Sequence, residues 1–180
     1  NIGGKYGCSG STTSFLEVTN DPSSSVSAYY LYGGNSQSDY LGCFGGSCAN
    51  TATDSICNSV GSYGSNVSAT SIWNTVGSYG STVGTYSPWN SVSSNPPEFF
   101  NQDKSSSYGK FTVNTATANR TTVSSLTSII DYFNNNSQDI GATRTNACSS
   151  ETAFTQASQR SLLKTNRTSI NVSKDVSTAQ

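Results

Sequence analysis

SIWNTVGSYGSTVGTYSPWN, residues 71–90, restates SICNSVGSYGSNVSAT, residues 55–70, at a period of sixteen residues. Aligned at that period, Ser55, Ser71 and Ser87 share a column, and so do Cys57, Trp73 and Trp89. Asn58, Asn74 and Asn90 form a third column and Val60, Val76 and Val92 a fourth. The first two copies also pair Gly61 with Gly77, Tyr63 with Tyr79, Gly64 with Gly80, Ser65 with Ser81 and Val67 with Val83. A Ser followed six residues later by Gly predicts one helical turn with a serine N-cap and a glycine C-cap, and SYGS predicts a tight turn after it. A unit this short cannot bury a core of its own, so the copies are expected to stack on each other or on neighbouring elements. Trp73, Trp89 and the valine column are the expected shared interior, with Tyr63 and Tyr79 as further scaffold aromatics. Pro96 and Pro97 forbid a continuation of the third copy.

Outward from the repeat the period changes. AYYLYGGNSQSDYLGCF, residues 28–44, reads as a β-hairpin with a longer loop. PPEFFNQDKSSSYGKFTVN, residues 96–114, reads as a second, with Phe99 and Phe100 before a polar turn and Tyr108, Phe111 and Val113 after it. In TTVSSLTSIIDYFNNN the apolar residues Val123, Leu126, Ile129, Ile130 and Phe133 recur at helical steps, with Thr121 or Thr122 as N-cap. A second helix is expected to begin at Ser149 or Ser150. SFLEVT, residues 14–19, suggests one strand near the start, and the alternation of Ile170, Val172 and Val176 suggests an assembly strand at the end. These readings give an α+β, β-rich fold of short hairpins and a three-copy repeat packed with one or two helices. An immunoglobulin-like β-sandwich with terminal arms is the alternative. The expected organisation is an N-terminal arm over 1–27, a compact repeat-containing domain over 28–134, and a C-terminal helix and strand arm over 135–180.

YLGCF, DSICNSVGSYGS, SIWNTVGSYGS, SPWN, PP, and YGKFTVN with a downstream Arg resemble a family of small, uncharacterised secreted bacterial proteins with tandem SIWNxxGxYGS repeats. The resemblance covers about residues 29–133 and implies export and a compact repeat domain. It carries no catalytic residue. Members are often charged with Lys or Glu where this chain has Ser59, Val60, Ser62, Thr75, Val76 and Ser78.

Composition narrows the function by exclusion. Ser, Thr and Asn supply roughly two-fifths of the 180 residues while charged residues supply 11%, well under the usual quarter. Hydroxyls and amides therefore carry solubility, which points to an extracellular or cell-surface protein. A sequence without Met that opens at Asn1 reads as a mature form from which a targeting peptide has been removed. The net charge of −1 lacks the basic footprint of a nucleic-acid binder, and no apolar run is long enough to span a bilayer. With no His in the chain, Ser-His-Asp and Cys-His chemistry is absent. Glu17, Glu98, Glu151 and seven Asp leave a two-carboxylate glycosidase conceivable in composition, but none sits in a motif. NQDKSSS, residues 101–107, lacks the acidic pattern of a calcium loop and reads as a hairpin turn.

Five cysteines are present, Cys8, Cys43, Cys48, Cys57 and Cys148, so at least one is unpaired or pairs between chains. Cys43 and Cys48, in CFGGSC, are the best disulfide candidates, and Cys8 is set against Cys148 or Cys57. Zinc on Cys43, Cys48 and Cys57 would need a fourth ligand, so structural disulfides are preferred and neither metal nor cofactor is expected. Asn66, Asn119, Asn135, Asn166 and Asn171 each open a glycosylation triplet, at a frequency that this composition produces by chance. No enzyme is expected. The expected role is an extracellular structural subunit that assembles into a filament or surface layer by strand exchange, with copies of itself and covalent glycans or polysaccharide as partners. The alternative is a secreted carbohydrate-binding module that uses the repeat aromatics as a stacking platform.

Overall fold

The computed structural model describes residues 27–149. The expected strand at 14–19, the expected second helix beyond residue 149, Cys8, Asn166, Asn171, and Ile170, Val172 and Val176 lie outside the described residues.

Both hairpins are present and join in one sheet. Strand β1 (Tyr29–Gly33) pairs antiparallel with β2 (Asp39–Phe44) and with β3 (Glu98–Phe100), and β3 pairs antiparallel with β4 (Ser107–Lys110), in the order β2-β1-β3-β4. Alternation along β1 explains the pairing, because Leu31 turns to the core opposite Phe99 while Tyr30 and Tyr32 turn to the other face. The fold is α+β. Among the described residues there is one four-stranded sheet, so the sandwich alternative is corrected: residues 45–97 between β2 and β3, which a second sheet would need, form turns and bends. A bulge between Leu31 and Tyr32 sits opposite Gly42, whose φ of 110° and close approach to the Asp54 carbonyl exclude a side chain. There the chain of the repeat docks, as Cys43 N–H donates to Asp54 O and Ile56 N–H donates to Cys43 O, both at 2.9 Å.

The helix predicted from apolar period is α1 (Ser124–Asn135), burying Leu126, Ile129, Ile130 and Phe133. Its N-cap position is Val123, and Thr121 contributes from two residues earlier by accepting the Val123 N–H on Oγ1. A further helix, α2 (Ile140–Ser149), packs on α1 and was not anticipated. Its apolar stripe is reduced to Ile140, Thr143 and Ala147, and its start is marked by Asp139, whose Oδ1 accepts the Ala142 N–H at 2.9 Å. The compact body therefore runs on to Ser149, past the expected boundary at 134. Helix α2 ends where the expected second helix was to begin.

One core joins the sheet, the repeat and the helices. Leu31, Leu41, Phe44 and Phe99 come from the sheet, Ile56, Ile72, Trp73 and Trp89 from the repeat, and Leu126, Ile130 and Phe133 from α1. Trp89 is the junction, meeting Phe111 edge-on at 5.5 Å and Phe133 at 4.9 Å between ring centres.

Candidate functional site

The repeat forms neither helix nor strand. Its backbone N–H groups reach back three or four residues in a fixed rhythm: Asn74 to Ser71, Gly77 to Asn74, Ser81 to Gly77, Gly84 to Ser81 and Ser87 to Gly84. Steps of three, three, four, three and three residues return the chain to the same column, so each copy is one coil built of tight turns. The coils stack. Trp73 and Trp89 lie 5.5 Å apart and nearly parallel at 27°, and each indole Nε1 donates to the carbonyl one coil back, Trp73 to Ile56 and Trp89 to Ile72, both at 2.6 Å.

Side-chain oxygens hold the turns that begin at the Ser and Asn columns. In the Ser column, Oγ of Ser55, Ser71 and Ser87 accepts the N–H of Cys57, Trp73 and Trp89, each at 3.1 Å. This is the hydroxyl of an N-cap without a helix after it, so the expected helical turn is corrected to a turn closed by serine. The Asn column does two jobs: Oδ1 of Asn58, Asn74 and Asn90 accepts the N–H of Val60, Val76 and Val92, and Nδ2 donates to Ala52, Ser68 and Gly84 carbonyls. The glycines are not left-handed caps either. A Cβ on Gly64 or Gly80 would lie 2.2 or 2.3 Å from the Asn58 or Asn74 carbonyl oxygen, so the turn needs glycine for close approach.

The same asparagine turns send the valines outward. Val60, Val76 and Val92 are 91%, 89% and 80% exposed, and Val67 and Val83 are 80% and 83% exposed. The valine column expected in the interior is therefore corrected to an outer surface. The interior consists of Ser55, Ser71, Ser87, Ile56, Ile72, Cys57, Trp73 and Trp89, all buried, with both tryptophans 2% exposed. A stacking platform on Trp73 and Trp89 is thereby ruled out. Tyr63 and Tyr79 are partly buried against the same core.

Both ends of the stack are covered by the chain itself. At the first coil, Cys57 takes the place held by tryptophan in the other two and is bonded to Cys148 of α2, while Arg144 donates to Cys57 O and Asn50 to Cys148 O. At the third, Thr112 and Asn114 imitate the repeat. Thr112 Oγ1 accepts the Asn114 N–H, Asn114 Oδ1 accepts the Ala116 N–H, and Asn114 Nδ2 donates to Ser93 O. Arg120 then closes the Thr112 carbonyl with two bonds. The roles of the asparagine column and of Thr112, Asn114 and Arg120 were not read from the sequence. The recurrence of Asn at one column and the TVN echo were the available signals.

Tyrosines clamp the stack to the first hairpin. Tyr40 Oη donates to Asp54 at 2.8 Å, Tyr79 Oη to Asp39, and Tyr86 Oη to Asn35 at 3.0 Å. Burial, and then the carboxylate each one touches, push the Tyr40 and Tyr79 phenols far above the ordinary tyrosine range. The Tyr79 hydrogen bond lowers the Asp39 carboxyl.

Cys43 and Cys48 are bonded to each other. The Cys57–Cys148 bond corrects the assignment of Cys8 to either of those two. Among the described residues Cys43, Cys48 and Asp54 are the group of potential metal ligands that converge, but the two sulfurs are engaged in the disulfide and Asp54 in the Tyr40 bond, so the set does not suit zinc. Asn66, Asn119 and Asn135 are exposed. The two disulfides fit an extracellular protein, and among the described residues no helix is long and apolar enough to cross a membrane. No protein-family model matches the chain, no curated protein is similar to it, and no solved structure matches it.

Proposed function

We propose that this chain is an extracellular structural subunit that assembles with copies of itself into a filament or surface layer. The observation that carries the reading is the pair of valine columns. Single exposed valines are ordinary, but here Val60, Val76 and Val92 repeat at one outward position of successive coils and Val67 and Val83 at another, on a stack whose interior indoles lie 5.5 Å apart, so each column is a repeated apolar row. Serine and threonine flank it: Ser59, Thr75 and Ser91 precede Val60, Val76 and Val92 and are exposed. With no charge beside it and a net charge of −1 on the whole chain, close approach of many copies meets little repulsion. Covering these rows removes apolar surface from water, at roughly 1.5 kcal/mol or more for each valine. Because the coil ends are capped, copies meet along the sides of their stacks. Strand exchange through Ile170, Val172 and Val176 adds a second contact in this reading, and glycans on Asn66, Asn119 or Asn135 would decorate the assembly. Light scattering and negative-stain microscopy test it. The parent is expected to form polymers, the V60K/V76K/V92K variant to stay monomeric, and removal of residues 166–180 or 1–20 to reduce polymer mass. A parent that is monomeric at high concentration sinks the reading.

A further inference from the structure

A second surface, made by the sheet face opposite the core together with Tyr63 of the first coil, has the chemistry of a ligand site. Tyr32 meets Tyr40 at 5.2 Å and Phe100 at 5.9 Å, Tyr40 meets Tyr63 at 5.1 Å, and Tyr30 lies 6.5 Å from Tyr40. All five rings are neither fully buried nor fully exposed. Lys104 sets its ammonium 4.0 Å from the Tyr32 ring centre and 5.3 Å from that of Phe100, and donates to Gln37 O. At Tyr30 the aromatic row opens into a cleft of about 530 Å³. Its polar wall is Ser27, Ser47, Asn101, Gln102 and Asp103.

We propose that this aromatic row and the cleft at Tyr30 bind a neutral polysaccharide. Partly exposed rings inclined to one another offer apolar faces, and a sugar ring presents a face of C–H groups to such a surface while its hydroxyls point to the rim. The rim here is made of hydroxyls and amides, which donate to and accept from sugar hydroxyls alike. Asp103 and Lys104 are neighbours of opposite charge at the rim, so the site has no net field with which to select an ionic polymer. A protein partner would need a larger apolar centre than five tilted rings interrupted by an ammonium. None of these residues is one of the exposed valines, so the binding proposal does not rest on self-assembly.

The test is affinity electrophoresis in native gels cast with xylan, hydroxyethyl cellulose, mannan, pullulan or glycol chitin, with heparin and polygalacturonate as charged controls. The parent chain is expected to be retarded by at least one neutral polymer and by neither charged one. Tyr32→Ala should weaken that retardation about tenfold. Gln102→Ala and Lys104→Ala, both on an exposed turn, should weaken it severalfold, the first without changing the melting temperature, and decide the matter if Tyr32→Ala does not fold. A parent that no neutral polymer retards overturns the proposal, as do turn variants that bind like the parent. Running the V60K/V76K/V92K chain beside the parent separates the two proposals, because that variant should be retarded as strongly as the parent relative to a polymer-free gel.

Discussion

The sheet and the coil stack bury parts of one core and are held together by opposite means. In the sheet, neighbouring strands bond backbone to backbone, with groups any residue supplies, so the side chains need only alternate. In the stack, among the described residues, backbone hydrogen bonds join residues three or four apart along the chain and none joins repeat-equivalent positions sixteen apart. The links are the indole bonds of Trp73 and Trp89 and the contact between their rings. Within each coil the turns depend on a serine hydroxyl and an asparagine amide at set positions. An architecture built on side-chain oxygens tolerates less substitution than one built on a backbone ladder. That is why the stack is visible as a repeat and the sheet is not.

The sharpest way to break the contrast is to cut the link between the first coil and α2. Replacing Cys57 and Cys148 with serine releases a closure of 91 residues and should cost about 4–5 kcal/mol in urea unfolding, whereas the same change at Cys43 and Cys48, five residues apart, should cost about 2 kcal/mol. Trp73→Ala comes next. It removes a buried indole and leaves the Ile56 carbonyl without its donor, for an expected loss of roughly 3–5 kcal/mol by thermal unfolding, and acrylamide should quench neither indole in the parent. Asn74→Ala strips two bonds from one turn and should cost about 1–3 kcal/mol in urea unfolding.

Smaller effects test the tyrosine clamp. Tyr40 and Tyr79 have phenol pKa values raised by folding, so their contribution is fully present below the ordinary tyrosine value of about 10 and is lost as pH rises above it toward the folded values. Unfolding between pH 9 and pH 11 should show a loss of stability that Tyr40→Phe diminishes. Asp39, lowered by Tyr79, acts in the other direction: its contribution is present above the ordinary carboxylate range and fades as pH falls through the folded value. The smallest expected change in stability is that of Val76→Lys, within about 0.5 kcal/mol, because the side chain is 89% exposed. Its effect should instead appear in polymer mass.

Particular residues show where the sequence was readable. The alternation of Tyr30, Leu31 and Tyr32 and the three-four spacing from Leu126 to Phe133 each specify an element through a local period, and both elements formed. The sixteen-residue register is equally plain. It identifies equivalent positions and is silent on direction: Trp73 and Val76 are equally periodic, yet one is 2% and the other 89% exposed. Helix α2 escaped because DIGATRTNACS has almost no apolar stripe; its order comes from Asp139 at its start, Arg144 on the Cys57 carbonyl and Cys148 near its end.

What local chemistry dictates in this protein is the set of turns, strands and the first helix, since each rests on bonds or periods spanning a few residues: a hydroxyl two residues from the N–H it accepts, an amide reaching six residues back, an apolar side chain every second or every third position. Contacts between residues far apart settled the rest. Cys57 met Cys148 across 91 residues, Trp89 met Phe111 and Phe133, and the valines faced water because the interior of the coil was already filled by the indole column. Burial is decided by which side of a turn faces the rest of the chain, and that side exists only once the sheet, the stack and the helices have closed on one another.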